Sequence, residues 1–145
     1  MNFLFFLLIS NLFFPGWESD LEKARQLAVK DHKFILLNFS GSDWCGPCIR
    51  MHQEIFSGDG FKKFADDNLV LVQADFPLLK KNQLPKEQQK RNDRLADQYN
   101  AKGIFPLTIL LATDGKVVKK WEGFPSITPE QFISQVKAAC NAGKQ

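Results

Sequence analysis

Short apolar runs alternate with amphipathic and polar stretches along this chain, and the alternation predicts strands interleaved with helices. Phe34-Ile35-Leu36-Leu37-Asn38-Phe39 is rich in β-favouring residues and stops at Ser40-Gly41-Ser42, as a buried strand ending in a turn would. Leu69-Val70-Leu71-Val72-Gln73-Ala74-Asp75 has the apolar density of a strand covered on both faces, with Asp75 at its end as a structural carboxylate or a turn residue. Ile104-Phe105-Pro106-Leu107-Thr108-Ile109-Leu110-Leu111 supplies a third, with Pro106 directly before the strand because a proline cannot pair through its nitrogen. Thr113-Asp114-Gly115-Lys116 then turns the chain back into Val117-Val118-Lys119-Lys120-Trp121 as a hairpin.

Between these runs the apolar spacing changes to that of helices. Ser19-Asp20-Leu21-Glu22 has the form of a capping box, and Leu21, Ala24, Leu27 and Ala28 recur at helical spacing, which predicts a helix from about Asp20 to Lys30. A second begins near Cys45, with Pro47 tolerated in its first turn and Ile49, Met51, Ile55 and Phe56 as its apolar material. Ser57-Gly58-Asp59-Gly60 breaks it and caps a short helix carrying Phe61, Phe64 and Ala65 inward. Beyond Phe76 the sequence turns polar, and Pro85 opens a helix to about Tyr99 with Leu95, Ala96 and Tyr99 inward. Lys80, Lys81, Lys86, Lys90, Arg91 and Arg94 outnumber Glu87 and Asp93 there, either as a solvated face or as a docking surface for an acidic partner. Thr128-Pro129-Glu130-Gln131 caps a last helix whose Phe132, Ile133, Val136, Ala139 and Cys140 form one face.

The first fourteen residues are uncharged and mostly apolar, too short for a comfortable membrane span. Residues 1–16 are read as an export signal or N-terminal anchor and 17–145 as the folded domain, against the alternative of an ordinary core element in a cytoplasmic protein. At 145 residues with 44% hydrophobic content and 14 Phe, the chain can bury one sizeable core. Its 19 basic and 16 acidic residues leave only +3, which gives no argument for a nucleic-acid partner and none for a membrane surface beyond the N-terminal segment.

Chemistry concentrates at Trp44-Cys45-Gly46-Pro47-Cys48, where two of the three cysteines stand three positions apart as a strand gives way to a helix. Only a thiolate attacks a disulfide, and an ordinary cysteine, with a pKa of roughly 8.5, is mostly protonated at neutral pH. The free N–H groups and positive dipole of a helix start favour the anion. Lowering the pKa to about 7, as such motifs do, raises the reactive fraction from a few per cent to about half. Cys48, one turn on and expected to be the more buried, can then displace a mixed disulfide formed by Cys45. A zinc site would need ligands from Cys140, His32 and His52 without a second cysteine pair, a haem attachment would need histidine where Ile49 stands, and a purely structural disulfide is the remaining alternative. His32 reads as a solvated loop residue, His52 as an exposed helix residue, and Cys140 as a small buried hydrophobe or else a regulatory or pairing thiol.

The pentapeptide resembles the active-site motif of thioredoxin, in the strand-to-helix context that motif requires. Gly41-Ser42-Asp43-Trp44-Cys45, Asp75-Phe76-Pro77 and the longer basic helix are most similar to the exported, DsbH-like thiol-disulfide oxidoreductases of that fold family. The resemblance implies an α/β, thioredoxin-like three-layer sandwich, its mixed central sheet covered by helices on both faces. It also implies that Pro106 is cis, that Phe105 offers its backbone to a bound substrate strand, and that Gly123 sits in the loop facing the cysteines. No cofactor and no metal are called for. The partners implied are disulfide-containing proteins and an upstream electron donor, in a periplasmic or otherwise exported setting. Asn38 stands where the family has a buried aspartate, which leaves water or Asp43 to take the proton from Cys48. A reductase is the reading preferred on Gly46-Pro47, with an isomerase or oxidase, or a non-enzymatic peptide-binding module, as alternatives.

Overall fold

The computed structural model describes residues 16–144. In it the chain runs β1 (Trp17–Glu18), α1 (Leu21–Asp31), β2 (Phe34–Ser40) and α2 (Gly46–Met51), and α2 continues into a π-helical turn, His52–Phe56. There follow α3 (Asp59–Asn68), β3 (Leu69–Asp75), a 3₁₀ turn at Lys80–Asn82, α4 (Lys86–Tyr99), β4 (Leu107–Leu111), β5 (Val117–Glu122) and α5 (Pro129–Gly143). The strands order as β1-β3-β2-β4-β5, the first three parallel and the last two antiparallel to their neighbours. This is the mixed sheet of a thioredoxin-like fold. The export-signal reading of residues 1–16 falls, except for Gly16, outside the described residues.

Successive strand side chains point to opposite faces, and the core divides accordingly. Leu36, Leu71, Leu110 and Trp121 pack with Met51, Phe56, Phe61, Phe132 and Val136, which belong to α2, its π turn, α3 and α5. Ile35, Leu37, Phe39, Val72 and Ile109 pack on the other face with Ala24, Ala28, Leu95 and Tyr99 of α1 and α4. β2 is covered on both sides, so its C-terminal end at Ser40 is a rigid platform for whatever follows.

Three details depart from the sequence reading. The cap of α1 is Asp20, whose carboxylate accepts the N–H groups of Glu22 and Lys23, rather than a Ser19–Glu22 box. β1 was not anticipated: two residues carry too little periodicity, and its pairing of Trp17 with Leu71 and Glu18 with Val72 is a tertiary fact. α4 is not merely a solvated face, because Gln88 and Asn92 are buried. Gln88 Nε2 donates to the Ser19 carbonyl and to Asn92 Oδ1, and Asn92 Nδ2 donates to the Asp75 carbonyl, so amides tie this helix to β3 and the α1 approach. At the other end of the chain, α5 has the capping box of Thr128 and Gln131 that its sequence predicts. Among the described residues no helix is long and apolar enough to cross a membrane.

Candidate active site

Cys45 is the N-cap of α2, and it is joined to Cys48 as a disulfide. The backbone N–H of Cys48 donates to Cys45 Sγ at 3.3 Å, so one of the unsatisfied donors of the helix start is aimed at this sulfur. Pro47 lies in the first turn, where its missing N–H costs nothing. The expected contrast in exposure is absent, since Cys45 and Cys48 are 5% and 4% exposed. Their difference is electrostatic: the capping geometry favours negative charge on Cys45, whereas Cys48 is already inside the helix.

The loop that carries Cys45 is held to the end of β3 by three sets of hydrogen bonds that sequence reasoning did not find. Asp75 is a structural carboxylate: its Oδ1 accepts the N–H of Ser42 at 2.9 Å and its Oδ2 the Ser42 hydroxyl. Asp43 reaches the opposite way, its two oxygens accepting the N–H groups of Leu78 and Leu79, each at 2.9 Å, and the Asn82 amide at 3.1 Å. Trp44 donates its indole N–H to the Phe76 carbonyl at 2.7 Å. Its ring also lies on Gly41, where any Cβ would overlap the indole. A serine, an aspartate and a glycine before a tryptophan look like ordinary turn residues, which is why the sequence alone hid the clamp.

Across the same end of the sheet, the Phe105–Pro106 peptide bond is cis, and the Phe105 ring meets the Trp44 ring edge-on with centroids 5.4 Å apart. Phe76 completes an aromatic wall, its centroid 5.5 Å from that of Phe105. Gly123 donates its N–H to the Pro106 carbonyl at 2.8 Å. A Cβ on Gly123 would meet nothing within 4 Å, and the residue's φ of +78° is what calls for glycine. Trp44, Cys45, Gly46, Pro47, Cys48, Phe105, Pro106 and Gly123 are thus gathered at one end of the sheet.

Behind the cysteines, Asn38 is 4% exposed and shares the face of β2 that Leu36 turns toward α2. Its Nδ2 donates to Thr108 Oγ1 at 3.0 Å, and that hydroxyl in turn touches Met51 Sδ. No carboxylate occupies this position. Nor does Asp43 substitute for one, because the Leu78 N–H in particular holds its carboxyl below the usual range and both oxygens are committed to the 78–82 loop. Cys140 is buried in α5, and burial pushes its thiol up and away from reactivity.

His52 is half-buried in the π turn rather than exposed on a helix, with its ring 6.4 Å from Phe56. Burial, and next the Lys62 ammonium, push its imidazole below the ordinary 6.5. The folded state therefore resists a proton that the unfolded chain accepts. Stability from a neutral His52 is complete above about pH 6.5 and declines as the pH falls below it. Urea midpoints measured from about pH 7 down to about pH 5 are expected to fall, and His52→Gln is expected to flatten that slope.

The family model described as a thioredoxin-like domain matches residues 21–139. The chain is 40% identical over 123 residues to "Disulfide bond reductase DsbH" of Chlamydia pneumoniae, covering 85% of this chain and 71% of that protein. A solved structure titled "DsbH Oxidoreductase" superposes with a TM-score of 0.77 at 38% identity, over 86% of this chain and 83% of its own. The solution structure of a thioredoxin from Thermus thermophilus superposes with a TM-score of 0.62 at 18% identity, over 86% and 85% of the two chains, a likeness of fold alone.

Proposed function

The chain belongs to the thioredoxin-like family and is a thiol-disulfide oxidoreductase, and on that premise we propose that it works mainly as a reductase of protein disulfides. The observation that carries this reading is the Cys45–Cys48 pair at the head of α2, with a backbone N–H aimed at the Cys45 sulfur. In the dithiol form, the Cys45 thiolate attacks one sulfur of a substrate disulfide. A mixed disulfide forms and the other substrate sulfur leaves as a thiolate. Cys48, after giving its proton to water, attacks Cys45 Sγ, and the second substrate sulfur departs. Two electrons have passed to the substrate, and the enzyme is left as the disulfide described above. A dithiol donor upstream returns those electrons.

Phe105, Pro106 and Gly123 are assigned to substrate binding. Phe105 offers backbone groups to an extended segment, while the hydrogen bond from Gly123 to Pro106 holds the two loops in register with each other. Trp44, Gly46 and Pro47 shape the turn on which the sulfur is presented. The uncharged apolar start supports an exported, periplasmic protein with a signal or anchor at 1–16 and the working domain at 17–145.

The direction rests on Gly46-Pro47 and on the reductase name of the Chlamydia pneumoniae relative. Thioredoxin-like pairs near about −270 mV donate electrons, whereas DsbA-like pairs near about −120 mV accept them. Equilibration of the full chain against mixtures of reduced and oxidised glutathione is expected to give a potential well below about −200 mV. A value near about −120 mV would assign it as an oxidase instead.

A further inference from the structure

Leu78 and Leu79 are 69% and 48% exposed, and Trp44 is 44% exposed. Isolated apolar side chains on a surface need no explanation, but these three are held together. Asp43 fixes the backbone of both leucines, and Trp44 is bonded to Phe76 two residues before them. An apolar ridge is thereby clamped to the loop that leads into Cys45, at the cost of two leucines kept in water. Directly after it come Lys80 and Lys81 in the 3₁₀ turn, then Lys86 in the first turn of α4. All three lysines are exposed, and among the described residues none has an ion-pair partner, whereas Lys90 further along is paired with Glu87. Lys86 also adds positive charge where a helix start is already positive. Asp43, bonded to Leu79 and Asn82 on either side of the two turn lysines, is spent on the clamp, as is Asp75, and Glu87 beside Lys86 is paired with Lys90.

We propose that Leu78, Leu79, Lys80 and Lys81 form a substrate-selecting ridge, which receives an extended polypeptide segment carrying apolar residues followed by acidic ones next to the disulfide to be reduced. The inference rests on the reductase reading and deepens it by naming the substrate class. Apolar side chains of the segment lie against Leu78, Leu79 and Trp44, and its carboxylates meet Lys80 and Lys81. Trp44, at one end of the ridge, directly precedes Cys45 in the chain, so a segment bound there delivers its cystine to Cys45 rather than elsewhere on the molecule. Its sign and its apolar character together select against basic, polar segments.

The test uses the full chain, reduced beforehand, in single-turnover reactions with two cystine-bridged peptides that differ only in their flanks, Leu-Leu-Asp-Glu in one and Ser-Ser-Lys-Lys in the other. The wild-type protein is expected to reduce the first about fivefold faster at low salt, with the advantage shrinking as salt rises. Lys80→Glu with Lys81→Glu is expected to abolish or reverse the preference, and Leu78→Ser with Leu79→Ser to slow the first peptide alone. Bis(2-hydroxyethyl) disulfide, small and neutral, is expected to be reduced at one rate by all three proteins. Equal rates on the two peptides with the wild-type protein would overturn the proposal, as would variants that slow the small disulfide as much as the peptide. Failure of the wild-type protein to reduce the small disulfide at all would instead sink the reductase reading, and the ridge with it.

Discussion

Cys45→Ser protein is expected to lose at least about 1,000-fold in the rate of protein-disulfide reduction, the scale on which enzymes that act through a covalent intermediate respond to removal of the nucleophile. Serine keeps the cap of α2, so the fold remains and only the attacking sulfur is gone. Cys48→Ala acts differently. Cys45 still attacks, but nothing displaces the product, and a mixed disulfide with substrate accumulates that is visible as a reductant-sensitive band on a non-reducing gel. Wild-type rates in both variants would show that the pair is not the reaction centre. Cys140 offers no substitute, because it is buried in α5 on a thiol whose proton burial retains.

Phe132→Ala is expected to cost about 3–5 kcal/mol of stability, measured as a fall in the urea midpoint with an unchanged slope. Phe132 is completely buried, and its ring centroid lies 5.2, 6.1 and 6.2 Å from those of Trp121, Phe56 and Phe61. It therefore joins α5 to β5, to α3 and to the π turn that prolongs α2. The cavity left by truncation cannot be filled without moving several aromatic rings. Against the roughly 5–15 kcal/mol that holds a domain together, a loss of that size removes a large fraction of the margin. A change below about 1 kcal/mol would mean that this face of the core is loosely packed.

Periodicity carried most of the architecture. Leu69–Asp75 and Phe34–Phe39 are unmistakable as strands because both faces of each are buried, and Thr128 through Gln131 announces its own helix. The cysteine pair was equally legible, since its chemistry requires two sulfurs at that spacing on a helix start. The cis bond at Pro106 came from resemblance and not from physics, because the residues around it show no local preference for cis.

What stayed hidden depends on partners distant in sequence. Ser42 meets Asp75 and Asp43 meets Leu78 across separations above thirty residues. Nothing in a one-dimensional pattern distinguishes such a carboxylate from one that points into water. For the same reason the burial of Gln88 and Asn92 could not be read from a helix whose first half is polar all round, and an Asp43 close to the cysteines looked available as a base until its oxygens were accounted for.

Whether Cys45 is held as a reactive anion at the start of α2 is measured most directly by its rate of alkylation with iodoacetamide as a function of pH, in reduced Cys48→Ala protein and read by mass spectrometry. The expected midpoint is about 7, with the rate at neutral pH already about half of its plateau. A midpoint at roughly 8.5, that of a cysteine in a loose peptide, would contradict the assignment of Cys45 as an activated nucleophile.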